Sequence, residues 1–152
     1  MLVRAAAYLA AATGLEPAPS HHVSLILQIV ADPEEFRNEA AHTAHDGTVT
    51  LFLASIENSR RVILHELGHV VWFLVGTRLP NFSTNWLNAV RDDNAAVSVY
   101  GTTNELEDFA EAYLMYIVNR SACVNQFPHR AAILAPLVNP PPAVQQPPTT
   151  RP

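Results

Sequence analysis

No lysine occurs in this chain. Its nine basic residues are all arginines, set against fourteen Asp and Glu for a net charge of −5. With no basic stripe to neutralise phosphates, nucleic acid is excluded as the main partner. A single cysteine, Cys123, excludes an internal disulfide framework, so stability has to come from packing or from a metal. Only 15% of the residues are charged while 49% are hydrophobic, which excludes disorder along the whole length. Nor is any apolar run long enough to span a bilayer: the longest, Val62 to Val75, is broken by His65, Glu66 and His69. For 152 residues the expectation is one domain with one modest core, over residues 1–139. From Pro140 onward six prolines fall in thirteen positions, and residues 140–152 read as an extended, disordered tail.

The N-terminal stretch MLVRAAAYLAAATGL has two readings. It resembles a short signal peptide, which would make the protein secreted. It also fits an ordinary first helix from about Val3 to Thr13, stopped by Gly14, Pro17 and Pro19. No convincing A-x-A-like cleavage site precedes the Pro-containing segment, which favours the helix and leaves the compartment open. Next, VSLILQIV reads as a buried strand, and Asp46-Gly47 as a hairpin turn before the alternating strand Thr48 to Leu53. A helix is expected from Ser55 or Ser59 to about Val75, closed by Gly76, with apolar residues around its whole circumference and therefore central. Ser83 is expected to cap a short helix through Trp86, Leu87 and Val90, and Asn104 to cap a helix from Glu105 to Asn119. One or two short helices follow between Ser121 and Val138, with Pro128 at a helix start. Helix, strands, then helices define an expected α+β class: a short sheet with a hairpin, packed on a central helix and on a second, glutamate-bearing helix.

The central helix carries His65-Glu66-Leu67-Gly68-His69, an HExxH motif. Histidines four apart share one helix face, so their ring nitrogens can converge on one ion, and Glu66 falls beside that face, within reach of a water the ion holds. Three polar side chains in a buried helix need strong compensation, which a divalent cation supplies. A catalytic zinc takes three protein ligands and one water, so a third ligand is required. A third histidine six positions after His69 is absent, because that position is Val75.

The Glu105–Asn119 helix offers candidates. Glu107 and Glu111 lie along one flank of its apolar stripe, whereas Glu105 and Asp108 lie toward the other side and are expected to face solvent. Two carboxylates beside a core stripe are costly unless paired or metal-bound. One of them can ligate zinc while the other holds a ligand histidine through its second ring nitrogen, and helical position alone leaves both assignments open.

HELGH followed by SVYGTTNELEDFAEAY, from Ser98 to Tyr113, resembles the catalytic core of the anthrax lethal factor-like zinc metalloproteases, to which bacterial Pro-Pro endopeptidases are similar. The resemblance covers about residues 57–118. It implies a small zincin-like domain in which His65, His69 and Glu107 bind Zn2+. It also implies that Glu66 is the general base, that Tyr100 donates its hydroxyl to the developing oxyanion, and that Glu111 supports a ligand histidine from behind. The expected activity is endopeptidase cleavage of a peptide or protein substrate in extended conformation, held by edge addition along the strand Thr48 to Leu53. The alternative is a binding or toxin-associated module that keeps the fold without turnover. Cys123 reads as a small buried hydrophobe, Trp72 and Trp86 as core aromatics, and His21, His22, His42, His45 and His129 as surface residues.

Overall fold

The computed structural model describes residues 26–30, 41–43, 48–52, 59–76 and 78–139. The expected N-terminal helix or signal-like segment and the Pro-rich tail lie outside the described residues. Three short strands come first: β1 (Ile26–Val30), β2 (Ala41–Thr43) and β3 (Thr48–Phe52). Five helices follow: α1 (Ser59–Gly76), α2 (Phe82–Asp93), α3 (Glu105–Val118), α4 (Arg120–Gln126) and α5 (Pro128–Val138), with a 3-10 turn at Tyr100–Thr102 before α3.

Helix dominates the described residues, and this overturns the expected α+β class. The strands are only five, three and five residues long, and among the described residues the main core is built by helices and their connections, without a sheet layer. The six-residue alternation at Thr48 to Leu53 is enough to pair a strand. The apolar area that closes the fold, however, is spread over α1, α2, α3 and the two short helices after them. β1 pairs parallel with β3, and β2 pairs antiparallel with β3, in the order β1-β3-β2. β3 is therefore the middle strand, and the expectation that a substrate adds to its edge is also corrected: its hydrogen-bonding sides are both taken.

At the centre of the helical core Phe109 of α3, fully buried, meets Trp86 of α2 at 4.7 Å, Trp72 of α1 at 5.3 Å and Phe82 at 5.7 Å, all edge to face. Such pairs add about 0.5–1.5 kcal/mol each beyond the area they bury. Leu134 and Leu137 of α5 and Cys123 of α4 close the far side. Burial, with a smaller contribution from Asp93, pushes the Cys123 thiol up to about 11, so it is a packing group at neutral pH.

Helix ends show local control. Asn104 caps α3 as expected, its Oδ1 accepting from the N–H groups of Leu106 and Glu107, both at 3.0 Å. Ser83 does not cap α2. That helix is capped two residues earlier, at Asn81, in the left-handed conformation at φ 61°, which asparagine tolerates better than most residues. The Ser83 hydroxyl instead donates to Glu105 Oε2 at 2.9 Å.

Beneath the 3-10 turn lies a buried charge network that corrects the solvent-facing expectation for Asp108. Arg130 is wholly buried, and its guanidinium grips Asp108 with two bonds, Nε at 2.9 Å and Nη2 at 2.8 Å. Trp86 Nε1 donates to the same carboxylate at 3.1 Å. Arg130 Nη1 reaches Asp93 Oδ2 at 3.1 Å, and Asp93 also accepts from the backbone N–H groups of His129 and Arg130 at the start of α5. No helix among the described residues is long and apolar enough to cross a membrane.

Candidate metal centre

α1 and α3 cross closely because both are small where they meet. A Cβ placed on Gly68 would lie 2.7 Å from Ala110 Cα and 3.2 Å from Ala110 Cβ. Gly68 sits between His65 and His69 in sequence, and Ala110 sits between Glu107 and Glu111. The contact therefore brings the two functional helix faces together, a task sequence reasoning had not assigned to either residue.

Three side-chain atoms converge across this crossing. His65 Nε2 lies 3.0 Å from Glu107 Oε2 and 3.1 Å from His69 Nε2, and His69 Nε2 lies 3.3 Å from Glu107 Oε2. Zinc–ligand bonds of about 2.0–2.1 Å in tetrahedral array imply edges of about 3.3 Å between ligand atoms, so this triangle has the size of one face of a zinc tetrahedron. Two imidazole nitrogens and a carboxylate oxygen are also a donor set that zinc accepts. Among the described residues these three form a group able to hold a metal ion.

The surroundings separate the two glutamates that helical position left equivalent. Glu107 touches the inner Nε2 atoms of both histidines, whereas Glu111 Oε1 lies 2.8 Å from His65 Nδ1, on the outer side of the ring. Burial works against a charged His65, but its hydrogen bonds to the carboxylates of Glu107 and Glu111 outweigh it and lift the imidazole to about 9. Burial likewise opposes ionisation of Glu107, and its bonds with His65 and His69 still hold the carboxyl down at about 2. Glu111 is lowered chiefly by its bond with His65, with burial opposing and Ser98 and Arg61 assisting. Without a metal, a proton on His65 joins these groups.

Glu66, at 7% exposure, is buried beside this triangle, and Thr43 Oγ1 of β2 donates to its Oε2. Tyr100 stands at the rim, 56% exposed, its ring centroid 5.7 Å from that of His65. Its turn is tied down by Gly101, whose N–H donates to Ser98 Oγ at 2.9 Å, and Ser98 also hydrogen-bonds Glu111. Sequence reasoning missed Thr43, Ser98 and Arg61, because each acts across a distance in sequence that no spacing rule covers. His69 Nδ1 is buried with no hydrogen-bond partner among the described residues.

Compared with protein-family models, with curated proteins and with solved structures, the chain gives no match in any of the three.

Proposed function

We propose that this protein is a zinc-dependent endopeptidase. The observation that carries the reading is the His65–His69–Glu107 triangle, of zinc-tetrahedron size and drawn from two crossing helices, with Glu111 on the second nitrogen of His65. The resemblance to lethal factor-like metalloproteases assigns the same residues to the same tasks.

In this reading His65, His69 and Glu107 hold the ion, and Glu111 keeps the His65 ring oriented by accepting from Nδ1–H. Zinc in such a site supplies Lewis acidity, lowering the pKa of water and polarising a carbonyl. Glu66 takes the proton of the attacking water as the carbon–oxygen bond forms, then delivers it to the leaving amine as the peptide bond breaks. Tyr100 donates its hydroxyl to the oxyanion from the exposed rim, where a substrate arrives. An extended peptide would pair with β2, an outer strand of the sheet among the described residues, whose Thr43 touches Glu66.

Digestion of a peptide library with and without a chelator, read by mass spectrometry, tests the proposal. Chelator-sensitive internal cleavage is expected from the wild type. Glu66→Gln should retain zinc while its rate falls by about 10²–10⁴, because a base is not a ligand. Cleavage that persists unchanged in Glu66→Gln would refute the mechanism.

A further inference from the structure

We propose that Thr43 is the positioning residue for Glu66, an inference that rests on the hydrolytic reading above. Thr43 ends β2, and its hydroxyl donates to Glu66 Oε2 while lying 3.4 Å from the backbone carbonyl oxygen of the same residue. The two residues are 23 positions apart, so the sheet and not α1 supplies the contact. Glu66 needs such a partner for two reasons. A buried carboxylate without hydrogen bonds is strongly disfavoured. A glutamate side chain also turns about three bonds, and a base that must be re-ordered at each turnover loses rate.

Holding Oε2 restricts the carboxylate's rotation and leaves Oε1 for the proton in transit. Because Thr43 also lies on a strand that is outermost among the described residues, the residues that would line up an extended peptide are the ones that hold the base. Substrate register and base position are then set by one three-residue strand. Nothing in β2 marks this in the sequence: Ala41-His42-Thr43 carries no motif.

Two measurements test the proposal with the full chain. The first uses metal-free protein and urea denaturation of Thr43→Val, Glu66→Ala and the double variant. Non-additivity of about tenfold or more in the folding equilibrium constant is expected for a hydroxyl–carboxylate bond. The second uses zinc-loaded protein and a peptide that the wild type cleaves. Thr43→Val should lower kcat about 10- to 100-fold with KM within about twofold, zinc content remaining at one per chain. Thr43→Ser, which keeps the hydroxyl, should restore most of the rate. Additive stabilities overturn the proposal, as does a serine variant no faster than the valine variant or a valine variant with wild-type kcat. A wild type that cleaves no peptide would sink the endopeptidase reading by itself, and the folding cycle would still decide whether Thr43 holds Glu66.

Discussion

Glu107 and Asp108 are neighbours in the first turn of α3, yet they serve two unlike clusters. Asp108 faces inward to Arg130 and Trp86, where every contact is a permanent donor: the guanidinium does not deprotonate at any working pH, and the indole N–H does not leave. Glu107 faces His65 and His69, whose protons are exchangeable, and the proton held there at neutral pH occupies the place a cation can take. Both carboxylates are neutralised, but only one of them by something removable. That difference separates a strut from a site, and it arises from one residue of helical rotation.

The largest expected effect comes from breaking the strut. Arg130→Ala leaves Asp93 and Asp108 buried without their cation, a change that costs about 3–5 kcal/mol. A thermal melt should show a Tm lower by about 10 °C or more. Zinc bound per folded molecule should stay unchanged; a variant that melts normally but loses zinc would join the two clusters into one.

On the other side of the comparison, Tyr100→Phe should leave fold and metal in place and lower kcat by about two to three orders of magnitude. Steady-state kinetics per zinc-loaded molecule decides this. Loss of Tm with kcat intact would make Tyr100 structural and remove it from the chemistry.

A smaller effect is expected at Glu111, on the outer side of His65. Glu111→Ala should weaken zinc about 10- to 100-fold, the usual loss for a group acting behind a ligand, whereas Glu107→Ala should abolish tight binding. Competition titration against a zinc chelator ranks them, and the opposite ranking would shift the ligand by one turn of α3.

Smallest is the effect of adding one methyl group at the crossing. In Gly68→Ala the new Cβ meets the backbone of Ala110, so α1 and α3 must move apart. Overpacking of this kind costs about 1–3 kcal/mol, and the zinc affinity should fall with it because the ligands ride on both helices. Unchanged affinity together with an unchanged Tm would mean that the crossing has slack.

Local chemistry was legible in the sequence and long-range chemistry was not. HELGH showed its own geometry because His65 and His69 are one helical turn apart, and Asn104 showed its cap because the N–H groups it serves are two and three residues away. The burial of Asp108 depends on Arg130, 22 residues further on, and nothing near Asp108 announces it. The link from Thr43 to Glu66 crosses 23 residues and joins a strand to a helix. The fold class was misjudged for a related reason. Strand alternation over six residues reads like a core layer, while the contacts that make helices the main core, α4 and α5 on α2 and α3 among them, join residues far apart in sequence. The middle position of β3 likewise depends on β1, which precedes it by a long stretch of chain.

Whether the His65–His69–Glu107 triangle takes up zinc is decided by metal content. Elemental analysis of protein purified without added metal, then of His65→Ala/His69→Ala prepared in parallel, measures it. One zinc per chain in the wild type and none in the double variant is the predicted result. A wild type without zinc that also takes none up on titration, or a double variant with the same zinc content, would contradict it.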